Sequence, residues 1–174
     1  MKQLLSELFH LFTDFIMHLP LALIRNLYAK LILKSFGNGS SIARHVHLVS
    51  PWNISIGKNV VINRNVTLDG RSGLIIDDNT DVGEYVSIWT LQHDIDDPHH
   101  STKGDSTYIG DHCWLAPHTI VLPGVRVARG TVAATSSVIT KSTNENVLVA
   151  GIPAKEIKAR KNDLRYILDY KVYL

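Results

Sequence analysis

The sequence predicts a mainly β solenoid, a triangular parallel β-helix of about five coils. Three observations carry that prediction: an aliphatic repeat with a period of six from Phe36 onward, a small or β-branched residue at the fifth place of each hexad from Ile109 to Ile139, and helical periodicity confined to residues 1–35. The 174 residues suffice for one domain with a real core. Lys and Arg number 18 against 16 Asp and Glu, so the formal charge is only +2 and the electrostatic footprint of a nucleic-acid binder is missing. A single cysteine, Cys113, excludes an internal disulfide framework and a Cys-rich zinc site, and fits a reducing, cytoplasmic compartment.

In residues 1–35, Leu4, Leu5, Leu8, Leu11, Phe12, Phe15, Ile16 and Leu19 recur at helical spacing between polar residues such as Glu7, His10 and Asp14. This is an amphipathic helix. Pro20 suits the first turn of a second one, which carries Arg25, Lys30 and Lys34 beside Leu27, Leu31 and Ile32. Polar residues interrupt every apolar run well below the ~18 residues a spanning helix needs, and no cleavable leader pattern is present. Two roles fit: a cap on the solenoid or a subunit contact, or peripheral attachment in the plane of a membrane.

The repeat runs through Phe36, Ile42 and Leu48, then Ile56, Ile62 and Leu68, then Ile76, Val82 and Ile88, and after a gap through Ile109, Leu115, Val121, Val127, Ala133 and Ile139. The fifth places of the later hexads read Cys113, Thr119, Val125, Thr131, Ser137 and Thr143. An inward aliphatic followed by small or β-branched residues suits a short strand and a tight corner, and three hexads close one coil. Coils therefore begin near Phe36, Ile56, Ile76, Ile109 and Val127, stacked at ~4.8 Å per layer. The solenoid spans 36–153, with residues 1–35 covering one cut end and a short C-terminal helix within 154–174 covering the other. Two steps are eight residues long. One is 21, and it holds loop 89–108 with Gln92-His93-Asp94-Ile95-Asp96-Asp97-Pro98-His99-His100. A His- and Asp-dense excursion from a regular array points to function.

Five ordered pieces then stand out: His93-Asp94, Ile109-Gly110-Asp111-His112-Cys113-Trp114-Leu115, Ile120-Val121-Leu122-Pro123-Gly124-Val125, Ser137-Val138-Ile139-Thr140-Lys141, and Val149-Ala150-Gly151-Ile152-Pro153-Ala154-Lys155. From about Ile56 to Lys158 the chain resembles the left-handed β-helix hexapeptide-repeat acyltransferases, in the sugar O-acetyltransferase branch of galactoside, maltose and colanic-acid-type enzymes. The resemblance implies a left-handed parallel β-helix, a homotrimer, acetyl-CoA as co-substrate, and a sugar hydroxyl as acceptor in polysaccharide or glycan biosynthesis. The hand comes from the resemblance alone, since parallel crossovers are ordinarily right-handed. Ala116, Ala128 and Ala134 depart from the Gly or acidic residue the family often has after the inward aliphatic. Pro117 stands where many relatives have a hydroxyl residue or Ala.

Transfer from a thioester to an alcohol needs a base for the hydroxyl proton, and an imidazole, with an ordinary pKa near ~6.5, suits neutral pH. The resemblance makes His93 that base, and its place at the root of the loop agrees. Asp94, Asp69 or a backbone carbonyl would fix its tautomer. Attack is direct, with an oxyanion donor expected near Ala116. Trp89, Trp114 and Tyr85 form either an apolar platform for a sugar or ordinary packing. The resemblance places Asn63 and Asp69 at the acceptor, and Ala116, Pro117, Thr135, Thr140, Lys141, Lys155 and Lys158 along acetyl-CoA in a groove between prisms. Lys155, Lys158, Arg160 and Lys161 also form a basic cluster able to meet phosphates. Cys113, at a fifth hexad place, reads as an inert packed thiol, and His99 and His100 as solvated.

No metal is expected. A zinc hydratase on the same scaffold would use His93, His112 and His118, but that class expects two His five residues apart and these last two are six apart. A non-catalytic scaffold needs neither the loop His nor the basic terminal motif. N-acylation of an amino-sugar nucleotide is the alternative within the transferases.

Overall fold

The computed structural model describes residues 2–169. Helices α1 (Lys2–His18) and α2 (Ala22–Ile32) precede a parallel solenoid with three faces. Face one stacks Ser35–Phe36, Ile54–Ile56, Leu74–Ile76, Thr107–Ile109 and Arg126–Val127. Face two stacks Ser41–Ile42, Val61–Ile62, Asp81–Val82, Trp114–Leu115, Val132–Ala133 and Val147–Gly151, and ends on Ala154–Ala159. Face three stacks His47–Val49, Thr67–Asp69, Ser87–Ile88, Ile120–Val121 and Val138–Ile139. There are thus five complete coils and a sixth, partial one on face two, about six turns where the hexads predict about five.

Every aliphatic member of the repeat after Phe36 is buried, and together they form one continuous core. The fifth-place residues Cys113, Thr119, Val125, Thr131 and Ser137 are buried too. Hydroxyls at this place tie the corners: Thr119 Oγ1 donates to Ala116 O at 2.7 Å and Thr131 Oγ1 to Ala128 O at 2.7 Å. The second hexad place is small because the next coil lies directly over it. A Cβ on Gly83 would meet Leu115 O at 2.7 Å.

The helices cover the first coil, and side chains of α2 occupy its open edge. Asn26 Oδ1 accepts Ile42 N–H at 2.9 Å, and Arg25 Nε donates to Ile42 O at 3.0 Å. Backbone groups that would otherwise invite edge pairing are thereby satisfied. The sequence reading grouped Arg25 with the helix's polar residues, whereas the structure buries it completely.

At the other end the expected C-terminal helix is absent among the described residues. Ala154–Ala159 is instead a strand, antiparallel to Val147–Gly151. Alternation along 147–151 buries Val147 and Val149, and the tight reversal at Gly151-Ile152-Pro153 returns the chain along the last layer. Residues beyond it run back as a strap. Arg160 Nη1 donates to His112 O at 2.8 Å and Gly130 O at 3.0 Å, and Leu164 is buried. The remainder of the predicted helical tail lies outside the described residues.

Candidate active site

The edge between faces three and one absorbs every irregularity of the repeat. Both eight-residue steps fall there, one of them taken up by the 3-10 turn Pro51–Asn53. So does the 21-residue step, which is not a structureless loop but a β-hairpin: Leu91–His93 pairs antiparallel with Thr102–Gly104, with His93 opposite Thr102.

Asp69 anchors the hairpin's neck. It is fully buried, and four donors converge on its carboxylate: Arg71 N–H at 3.0 Å and Arg71 Nε at 2.9 Å on Oδ1, Arg71 Nη2 at 3.0 Å and Thr90 N–H at 3.0 Å on Oδ2. Burial alone would raise its pKa. The hydrogen bonds from Arg71 and Thr90 outweigh burial and hold it below the usual carboxylate value. Arg71 also reaches Leu91 O at 3.3 Å, tying the first hairpin strand to the prism.

His93 is exposed on this hairpin. Its Nδ1 lies 2.9 Å from His100 O, and its ring stacks on that of His100 with centroids 3.8 Å apart. A carbonyl only accepts, so Nδ1 carries the proton and Nε2 keeps its lone pair. Asp94 makes no hydrogen bond to His93: its Oδ1 caps the turn by accepting Asp96 N–H at 3.1 Å, and Lys103 lies 3.5 Å from Oδ2. The Asp96 amide, helped by Lys103, keeps the Asp94 carboxyl below its ordinary range.

The other site residues fall into two sets. Asp69, Trp89, Thr140 and Lys141 share the His93 edge, where Leu68↔Ile88↔Val121↔Ile139 set the register. Asn63, Ala116, Pro117 and Thr135 lie on the edge between faces two and three, with Trp114, Lys155 and Lys158 on face two itself. Asn63 Nδ2 donates to Asp81 Oδ1 at 2.9 Å and Val82 O at 3.0 Å. Trp114 is 46% exposed, and Tyr85 stacks on His118 at 4.8 Å. Face two is the face opposite the His93 edge, so one protomer does not bring the two sets together.

On face two, Val132, Leu148, Lys158, Ala159, Arg160 and Lys161 line an open cleft of about 680 Å³. Arg160, on the strap, is committed there to the backbone carbonyls of His112 and Gly130 in the coils. The Ala116 amide itself donates to Ala133 O at 3.0 Å within the ladder. His93, His112 and His118 occupy three different edges. Burial pushes the Cys113 thiol up to about 12, and its Sγ donates to Ala128 O at 3.1 Å.

No family model matches the chain. The chain is 27% identical over 158 residues to the galactoside O-acetyltransferase of Escherichia coli K12, covering 87% of this chain and 74% of that one. To a putative acetyltransferase of Staphylococcus aureus strain COL it is 33% identical over 116 residues, 65% of this chain, and spans 58% of that relative's length. A hexapeptide-repeat acetyltransferase of Vibrio cholerae, crystallised with acetyl-CoA, superposes with a TM-score of 0.79 at 25% identity, covering 86% of this chain and 84% of that one. In sequence and in fold the chain is similar to the hexapeptide-repeat acetyltransferases, whose parallel β-helix it shares. It is an acyltransferase.

Sequence reasoning pointed to His93 but missed His100, whose contribution is a backbone carbonyl and a stacked ring; neither leaves a residue-type signal. It also missed Arg71 and Thr90, which are separated in sequence and meet only through Asp69.

Proposed function

We propose that the protein transfers an acetyl group from acetyl-CoA to a sugar hydroxyl, with His93 Nε2 as the general base. The observation that carries this reading is the Nδ1 contact with His100 O, which leaves an exposed, correctly tautomerised imidazole at the end of a braced hairpin. The sugar oxygen attacks the thioester carbonyl carbon while its proton passes to Nε2. The tetrahedral intermediate then expels the coenzyme thiolate, which takes the proton back from the imidazolium. No covalent acyl-enzyme is needed, and the inert Cys113 agrees with that.

A homotrimer supplies the second half of the site. With His93, Trp89, Thr140 and Lys141 on one edge and Trp114, Pro117, Thr135, Lys155 and Lys158 on or beside the opposite face, packing prisms side by side sets one protomer's imidazole against its neighbour's face two. Lys158 and Lys161 in the face-two cleft suit the coenzyme phosphates. The galactoside and hexapeptide-repeat acetyltransferases named above support both the donor and the acceptor class, and the colanic-acid-type resemblance supports a glycan under synthesis.

The test is thiol release from acetyl-CoA with a panel of neutral and acidic glycans, and the mass of the acetylated product. His93→Ala is expected to lose roughly 10²- to 10⁴-fold in kcat. Undiminished transfer by that variant removes the base; the absence of any product across the panel removes the sugar acceptor.

A further inference from the structure

The outer surface of the helical cap is apolar where a solvated helix would be polar. In α1, Leu4, Leu8, Leu11 and Phe15 form one stripe at helical spacing and are 59%, 51%, 67% and 61% exposed. In α2, Leu23, Leu27 and Leu31 repeat the pattern at 71%, 53% and 82%. The face turned inward holds Thr13, Met17, Arg25 and Ala29, all buried. The two helices pack together through Phe12 on Tyr28 at 5.8 Å and the Thr13–Tyr28 hydroxyl contact at 2.8 Å, so the stripes lie on one paired unit. A contiguous patch of this kind exceeds what a soluble surface ordinarily leaves in water.

Its rim identifies the occupant. Lys30 and Lys34 are exposed beside Leu27 and Leu31, and neither pairs with a carboxylate among the described residues. Trp52, half exposed at a corner of the first coil, meets Phe9 at 5.9 Å and extends the patch with an aromatic suited to a headgroup layer. The cap's carboxylates are already engaged: Glu7 accepts from Gln3 at 3.1 Å, and Asp14 lies 3.3 Å from His47. A second copy seated on this face would bring unpaired lysines against lysines with no free acid to meet them, whereas anionic headgroups supply the missing charge. No described helix is long and apolar enough to cross a membrane, so the helices lie along its surface.

We propose that the outer face of α1 and α2 docks in the plane of an anionic lipid bilayer, with the leucine and phenylalanine stripe among the acyl chains and Lys30 and Lys34 on the phosphates. The inference stands apart from the acyl-transfer reading, because its readout is binding.

The test is flotation of the full-length protein with vesicles of phosphatidylcholine, with and without phosphatidylglycerol. The protein is expected to float with the anionic vesicles and to be released by high salt. Lys30→Gln with Lys34→Gln is expected to weaken flotation roughly tenfold. Leu11→Glu with Leu27→Glu is expected to abolish it while thermal melting and molecular mass in solution stay unchanged. No flotation of the unaltered protein on either vesicle overturns the proposal. A drop in molecular mass of the glutamate variant also overturns it and assigns the face to a second copy. Should the glutamate variant fail to fold, the lysine variant decides: unaltered flotation would refute the assigned role of the rim.

Discussion

The imidazole of His93 lies parallel to that of His100, 5° between ring planes, while its Nδ1 donates to the His100 carbonyl at 2.9 Å. One residue thus orients the proposed base twice, through its backbone and through its ring. The backbone contact survives any substitution that keeps the turn, and His100 sits at φ 54, where glycine is at ease. His100→Gly therefore removes the stack and keeps the carbonyl. Steady-state kinetics are expected to show kcat reduced by roughly tenfold or less with KM nearly unchanged, the signature of a positioning residue beside the far larger loss from His93→Ala.

Asp69 is the hairpin's buried anchor, and its effect on stability has a defined pH window. Its carboxyl titrates below the ordinary value in the folded state, so near and below ~3.9 the unfolded chain binds more protons than the native one. The stabilisation is complete above that value and is lost as pH falls through the lower folded pKa. Asp69→Asn turns an amide N–H toward donors of Arg71 and Thr90 and is expected to cost about 3 kcal/mol at pH 7. Denaturant titration at pH 7 and at pH 3 checks both: the gap between the two proteins should narrow at the acidic pH.

Cys113 is buried, with its pKa raised to about 12 by burial, so the native thiol is neither ionised nor reachable at neutral pH. A thiol reagent is expected to modify the protein only in denaturant, and Cys113→Ala should keep full transfer activity while losing about 1 kcal/mol of stability. Because the folded pKa lies above the unfolded one, the thiol's contribution holds below ~8.5 and declines as pH climbs toward 12. Rapid labelling of the native protein would contradict the burial argument.

The solenoid was legible because each coil repeats one physical requirement, an aliphatic inward and a small residue under the next layer, and Ile109 through Ile139 state it without a break. The third-coil excursion was legible as an interruption, and His93 as its chemistry. The hairpin inside it was not, since His93↔Thr102 pairing crosses a polar segment with no alternation to reveal strands. The C-terminal strand failed for a related reason. Ala154–Ala159 reads as a charged, helix-compatible run, and only the open edge of Val147–Gly151 makes it a strand. The division of site residues between two edges follows from the register of the coils, which no single motif contains.

Arg25 shows how far burial can override residue type. Its Nε and Nη1 donate to Ile42 O at 3.0 Å and Leu19 O at 2.5 Å, Nη2 has no hydrogen-bond partner, and burial followed by repulsion from Arg44 lowers its pKa. The guanidinium works as a backbone bracket between the helical cap and the first coil. Arg25→Ala is expected to destabilise by about 3 kcal/mol, combining a cavity with two stranded carbonyls. Arg25→Met refills the space and removes a poorly compensated charge, so its cost should fall to about 1 kcal/mol. Equal losses in chemical denaturation would mean that the two hydrogen bonds, not packing, hold the cap.

The face-two cleft separates two basic roles that look alike in sequence. Arg160 spends its guanidinium on His112 O and Gly130 O and meets the Tyr166 hydroxyl at 3.2 Å, so it fastens the strap. Lys158 and Lys161 line the same cleft and are exposed. If they face the coenzyme phosphates across the trimer groove, their loss weakens ground-state and transition-state binding alike. Lys158→Ala with Lys161→Ala is then expected to raise KM for acetyl-CoA roughly tenfold at low salt with kcat unchanged, and to flatten the salt dependence of kcat/KM. Arg160→Ala should instead lower the melting temperature before it alters KM. An unchanged KM in the lysine double variant would move the phosphates off this face and take the proposed path of the coenzyme with them.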